Sequence, residues 1–260
     1  MKFWKKILPV FFVPALVYGV DATFFNFESG LLPDNCALDS GRTAEEKGEN
    51  AYAETEEGKT NGSVVCVTQD VNRGGVFVRS RRPDDALGGE LSAFTVCFAF
   101  RASPLSATPV FLERLVGGTS DNTGFFRFRS QSNSGGGGGE QRGTFRFYTK
   151  DASGNSVSVT SSVPWIQQEN NWYWVGMVFD KGRVAFYLDG ERVGDELFLP
   201  VESIAGSDGR SYFLRSGYGF VGAFDDLAIV PGRAFSDEEM RAIYKQGINT
   251  PEMIQKLKGE

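Results

Sequence analysis

The chain reads as an all-β protein: two antiparallel sheets packed face to face, with one short helix near the C-terminus. Three observations point there. It carries 32 glycines and 23 phenylalanines in 260 residues, which suits many short strands joined by tight turns. Its apolar residues alternate over short windows, as in AFTVCFAFR at 93–101 and TFRFYTK at 144–150. Helical signals are confined to the last 25 residues or so, and runs of strands with almost no helix fold as sandwiches.

The first residues stand apart from that domain. Lys2, Lys5 and Lys6 form a basic start, and an apolar run of 12 residues follows from Ile7 to Tyr18. Small residues close it at Gly19 and Ala22. A spanning helix needs about 20 apolar residues, so residues 1–22 read as a secretory signal peptide rather than a retained anchor. Removing them takes away three lysines and one aspartate, leaving 24 basic and 32 acidic side chains, a net charge of −8. An acidic chain repels nucleic acid, which is bound by neutralising phosphates. No later stretch is apolar enough to span a bilayer. The expected setting is secreted, extracellular or periplasmic.

The domain then runs over 23–247, with a helical tail over 248–260. A first strand covers 23–27. Residues 34–62 are polar and read as a long loop. Strands at 63–69 and 75–80 follow, then 93–101 with Phe94, Val96, Phe98 and Phe100 on its inner face. Strands at 109–116 and 124–130 flank a turn containing Ser120, Asp121 and Asn122. Five consecutive glycines at 135–139 oppose ordering and mark a hairpin tip; no Gly-Lys-Ser/Thr follows that would make a phosphate cradle. Strands at 144–150 and 155–161 come next. A hairpin at 172–179 and 183–188 ends in the turn Asp189-Gly190, with Trp172 expected inside the sandwich. The last strand covers 222–230. Ser236 then caps a helix, Glu239 completes a capping box, and Gly247 stops it. A second small helix starts at Thr250, with Pro251 in its first position.

Histidine is absent, which removes His-based triads, general bases and metal ligands. The three cysteines, Cys36, Cys66 and Cys97, include no C-x-x-C pair and exclude a cysteine zinc site. They are either small buried hydrophobes or, in an oxidising compartment, one disulfide and one thiol. A disulfide would join two of the three, with Cys36–Cys66 slightly favoured; Cys97 lies in an alternating strand, opposite in phase to Val96 and Phe98, so it faces a helix or solvent and its pairing stays open. The aromatic candidates for stacking on a sugar ring include Tyr148 and Trp165. Trp165 follows Pro164 in an expected loop, where it is either a surface platform or a plug over the end of the sandwich.

Several stretches together resemble the laminin-G-like jelly rolls of the concanavalin A type. They are Phe25-Asn-Phe27-Glu28, Trp172, Phe186-Tyr-Leu-Asp-Gly190, Gly222-Ala-Phe-Asp225-Asp226-Leu and Phe235-Ser-Asp-Glu-Glu239. The resemblance implies a concanavalin A-like jelly roll that hosts binding modules more often than catalysts. Ser120-Asp121-Asn122 is also similar to a calcium-ligand pair of pentraxins, although the acidic cluster that completes their site has no counterpart here. In related glucanases an aspartate of the final strand holds a structural calcium, which implies a Ca2+ site at Asp225 with Glu28. Oxygen donors alone suit calcium. The bland alternative is an aspartate that accepts backbone N–H bonds.

Function follows as an expectation. The chain is a secreted, non-catalytic binding module for a glycan or an extracellular protein surface, with Asp121, Asn122, Tyr148 and Trp165 as ligand-binding candidates. Rival readings are a divergent glycan-cleaving enzyme and a structural envelope or matrix protein. Cleavage on this fold needs opposed carboxylates, and the laminarinase-type E-x-D-x-x-E pattern is missing.

Overall fold

The computed structural model describes residues 87–101, 109–118, 120–131, 141–208, 223, 225–247, 253 and 255 in full, and gives the backbone alone for further strand residues. The N-terminal strands are β1 (Thr23–Phe25), β2 (Arg42–Glu46), β3 (Ala51–Glu54), β4 (Val64–Val67) and β5 (Val76–Ser80). The central ones are β6 (Ala93–Ala102), β7 (Val110–Val116), β8 (Phe126–Ser134), β9 (Glu140–Lys150), β10 (Ser156–Thr160) and β11 (Trp165–Gln168). Then come β12 (Trp172–Asp180), β13 (Arg183–Leu188), β14 (Glu191–Arg192), β15 (Leu197–Phe198), β16 (Tyr212–Ser216), β17 (Gly222–Pro231) and helix α1 (Asp237–Gln246). The leader at 1–22 lies outside the described residues, as do most of the tail at 248–260 and residues 135–139 of the glycine run.

Two antiparallel sheets form the sandwich. The first runs β14-β13-β12-β6-β17-β4-β3, with β1 also on β17 and β15 on β13. The second runs β10-β9-β8-β7-β16-β5-β2, with β11 on β9. Alternation sets what lies between them. Phe94, Val96, Phe98 and Phe100 of β6 are fully buried, and Phe179, Met177, Val175 and Tyr173 of β12 stand directly opposite them in register. Across the interlayer, Phe111, Phe126, Phe128, Phe145 and Phe147 complete the core. The rings meet at 5–6 Å and mostly tilted, the arrangement their quadrupoles favour.

The same register corrects one expectation. Trp172 stands opposite Arg101, one residue out of phase with Phe100, so it lies on the outer face. It is half-buried there, with the Arg101 guanidinium 5.3 Å over its ring. Residues 34–62 are not all loop either. β2 and β3 lie within them, short strands that pair with β5 and β4.

Helix α1 covers the outer face of the first sheet. Met240 and Ile243 pack against Cys97, Ala99, Trp174, Val178 and Val230 in a second buried cluster. Ser236 and Glu239 form the capping box, with the Glu239 N–H donating to Ser236 Oγ at 3.3 Å and the Ser236 N–H to Glu239 Oε2 at 2.9 Å. Gly176 makes the close approach workable, because a Cβ there would stand 2.5 Å from Met240 Cε. The Asp189-Gly190 turn has both residues at positive φ (50° and 82°), the mirror-image turn that matches strand twist. Among the described residues no helix lies over the second sheet, and they leave its outer face open.

Candidate functional site

On that open face, strand register builds a row across four strands. Glu113 of β7 stands opposite Arg127 of β8, Arg127 opposite Tyr148 of β9, and Tyr148 opposite Ser158 of β10. The next row holds Arg129, Arg146 and Thr160, and Gln131 faces Thr144 beyond it. Inward neighbours of these residues are phenylalanines, so the alternation Phe-Arg-Phe-Arg at 126–129 and Phe-Arg-Phe-Tyr at 145–148 gives one apolar and one cationic face.

Tyr148 organises this surface. Its half-buried ring has the guanidiniums of Arg127, Arg129 and Arg146 at 5.3, 5.7 and 5.6 Å from its centroid, and Phe125 at 5.3 Å. Arg127 is neutralised by Glu113, with Nε to Oε2 at 2.5 Å. Arg129 and Arg146 share only the Gln131 carbonyl, at 3.5 and 3.2 Å, and Arg146 adds Ser158 Oγ at 3.1 Å. The Nε atoms of both are buried and donate to nothing. Burial lowers the pKa of Arg129, opposed by Tyr148 and reinforced by the charges of Arg146 and Arg127. Burial likewise raises that of Tyr148, and Arg127 and Arg129 pull it back.

The expected site residues fall in different places. Tyr148 lies at the centre of the arginine rows. Trp165 does not sit in a loop: it opens β11 and is 4% exposed, stacked on Phe145 at 5.2 Å and 7° with its Nε1–H donating to Ser130 Oγ. A ring so covered has no face for a ligand, and it plugs the core. Asp121 is exposed in the turn leading into β8. Asn122 holds that turn by donating from Nδ2 to Val116 O at 2.6 Å.

Asp225 and Asp226 are both buried. Strand β17 bulges between Asp225 and Ala228, and Asp226 takes a left-handed φ of 53°. The bulge falls where the neighbour of β17 changes from β4, at Gly222–Phe224, to β1, at Leu227–Ile229. The first and last strands are therefore adjacent here, but Glu28 lies outside the described residues. Among those described, no cluster of three or more acids, cysteines or histidines is shaped for a metal. Cys97 is a free, buried thiol against the helix, and its pKa is pushed up by burial and then by Asp226. Cys36 lies outside the described residues, and of Cys66 only the backbone is described, opposite Tyr52 and Ala223.

Sequence reasoning missed Arg127, Arg129 and Arg146. Their alternation with phenylalanine was visible, but their adjacency comes from the β8–β9 register. It also missed Arg114, which is fully buried in β7 and donates to Gly124 O at 2.7 Å, Leu87 O at 2.7 Å, Gly89 O at 3.1 Å and Ala205 O. It ties three loops together at one end of the sandwich. Those loops border a cleft of about 670 Å³ lined by Gly88, Glu90, Lys150, Asp151 and Asp208 among others.

A family model described as the concanavalin A-like lectin/glucanases superfamily matches residues 79–241. No curated protein matches significantly in sequence. Among solved structures, domain 4 of AbnA, a GH43 extracellular arabinanase from Geobacillus stearothermophilus, seen in complex with arabinotriose, superposes with a TM-score of 0.59 at 13% identity. That alignment covers 87% of this chain and 99% of the other. A structure of botulinum neurotoxin type C, whose cell entry depends on interaction with two ganglioside molecules, gives 0.59 at 10% identity, over 87% of this chain and 51% of that one. The botulinum neurotoxin DC binding domain, in complex with rat synaptotagmin II, gives 0.58 at 10%, with the same coverage. This chain thus spans about half the length of the toxin chains. At these identities the likeness is one of fold.

Proposed function

Because the chain belongs to the concanavalin A-like lectin/glucanases superfamily, we propose that it is a non-catalytic module that binds a carbohydrate on the open face of β7–β10. The observation that carries this reading is the pair of rows around Tyr148. The face is uncovered and is held in shape by cation–π contacts, and it is lined by guanidinium, amide and hydroxyl groups that can donate to sugar oxygens. Its one acid among the described residues, Glu113, is fully buried and tied to Arg127. Among the described residues of this face no second carboxylate opposes it, whereas glycoside cleavage uses an opposed pair. The folds it resembles include a domain seen with arabinotriose and one tied to gangliosides, alongside one seen with a protein, which supports a binding module and is compatible with a glycan ligand.

Two further parts of the reading rest on the sequence. The basic, apolar leader supports export, to a secreted, extracellular or periplasmic setting. A structural calcium at Asp225 with Glu28 would pin the first strand to the last, and the bulge that buries Asp225 beside β1 supports it. Cys36 and Cys66 remain the pair for a disulfide, since Cys97 is free.

A glycan array tests the proposal. Wild type is expected to retain a restricted set of glycans, uncleaved, and Tyr148→Ala to lose them while still unfolding cooperatively, at a lower temperature because the ring packs on Phe125 and three guanidiniums. Retention of none, or release of new reducing ends, would overturn it.

A further inference from the structure

We propose that the ligand of this face is an acidic sugar, one bearing a carboxylate or a sulfate ester, clamped between Arg129 and Arg146. The inference rests on the carbohydrate reading above and names the chemical class of that ligand.

Charge bookkeeping across the described residues leaves these two half-buried arginines, besides the exposed Arg142, without a carboxylate partner. Arg127 pairs with Glu113, Arg192 with Asp237, Arg233 with Glu239 and Arg241 with Glu191, while Arg183 pairs with Asp180. Arg114 is bonded to backbone carbonyls. Arg129 and Arg146 have no carboxylate within ion-pair distance among the described residues. This happens in a chain with 33 acids against 27 bases, where a carboxylate is the commoner neighbour.

Their position makes the omission costly. They stand directly opposite each other in the β8–β9 register, a like-charge cross-strand pair, which is destabilising on its own. Both Nε atoms are buried without a partner, so each has given up water and gained nothing for it. Of the five N–H donors in each guanidinium, Arg129 uses one and Arg146 two on protein groups. The remainder lie on adjacent strands about 5 Å apart, a spacing at which two forks can share one trigonal or tetrahedral anion.

The surroundings keep the forks in place rather than neutralising them. Tyr148 holds both guanidiniums by its ring, and the Gln131 carbonyl bridges them. A clamp already organised loses little entropy on binding. An anion would relieve the repulsion, supply the missing acceptors and offset the burial that lowers the Arg129 pKa. Exposed Ser158 and Thr160 on β10 then offer hydroxyls to the neutral part of the sugar.

Titration calorimetry on the full chain separates the outcomes. The probes are trigalacturonate, its neutral methyl ester, a dextran sulfate oligosaccharide and the matching dextran. Arg129→Gln and Arg146→Gln remove the charge and keep a polar end, on a side chain two bonds shorter. Both should melt at or above the wild-type temperature, because the like-charge pair is gone. Arg183→Gln, on the other sheet, controls for net charge. At about 0.05 M salt at least one acidic probe should bind about tenfold or more tighter than its neutral partner, the value of one charge-assisted hydrogen bond. That advantage should shrink as salt rises and vanish in either Gln variant, but not in Arg183→Gln. Preference for trigalacturonate assigns a carboxylate, and preference for dextran sulfate a sulfate. Equal binding of acidic and neutral partners overturns the inference and leaves the carbohydrate reading standing. An acidic preference that both Gln variants keep overturns the clamp. Binding of none of the four, together with an empty array, overturns both.

Discussion

Replacing Arg114 with methionine should weaken the whole fold and not merely one loop. The side chain is fully buried, yet it satisfies four backbone carbonyls, those of Leu87, Gly89, Gly124 and Ala205. Methionine fills much the same volume but donates nothing. Each carbonyl left buried without a donor costs about 1–3 kcal/mol, although loops at a sandwich end can shift to admit water. Loss of about 3–5 kcal/mol is therefore expected, the range seen when one member of a buried polar network is removed. Against a total stability of about 5–15 kcal/mol this is a large fraction. Urea unfolding followed by tryptophan fluorescence reads it directly. With a slope of about 3 kcal/mol per molar, the midpoint should fall by about 1–1.7 M. Arg114→Lys, which keeps the charge but reaches fewer carbonyls, should fall between. A midpoint within about 0.3 M of wild type in Arg114→Met would show that the loops are held by something else.

Trp165→Ala should lose about 3–5 kcal/mol, because the ring fills the core against Phe145 and Phe100, and wild-type Trp165 emission should be insensitive to any bound sugar. Cys97 is raised by burial, so the folded thiol keeps its proton where the unfolded one, near 8.5, loses it. Stability from this source is present below that pH and lost above it, by about 1.4 kcal/mol per pH unit; Cys97→Ala should flatten the decline in denaturant midpoints between pH 8 and 10. If calcium sits at Asp225, saturating Ca2+ should raise the wild-type melting temperature by about 5 °C or more over chelator, and Asp225→Asn should abolish the difference. Identical wild-type curves with calcium and chelator would remove the site.

The sandwich was legible because its strands repeat with period two. Phe94, Val96, Phe98 and Phe100 announce an inner face, and Ser236 with Glu239 announces the helix start. What failed did so for physical reasons. β2 (RTAEE) and β3 (AYAE) contain few strand-favouring residues and owe their form to pairing with β5 and β4, a tertiary effect that outweighs local propensity. Trp165-Ile-Gln-Gln168 does alternate, buried and exposed in turn, but four residues after a proline give a weak signal. Trp172 was misplaced by one residue of phase, enough to move it to the other face. Parity alone could not foresee Asp226, because the bulge in β17 breaks the alternation.

The candidate site was legible only at Tyr148. Arginines on the polar side of an alternating strand are ordinary in sequence. Their meaning comes from register, which sets Arg129 against Arg146 and Arg127 against Tyr148. That register is fixed across a hairpin whose connection runs through the glycine stretch, and the pairing itself shifts between Ser132 and Ser134. No spacing rule recovers it.

Mapping of backbone amide chemical shifts, with the glycan that the array selects, tests the central claim most directly. Perturbations should concentrate on residues 127–131, 144–148 and 156–160, and leave α1 and the outer face of β12 and β13 unchanged. Shifts confined to the helix-covered sheet, or to the cleft beside Asp151 and Asp208, would contradict the assignment of the β7–β10 face as the binding surface.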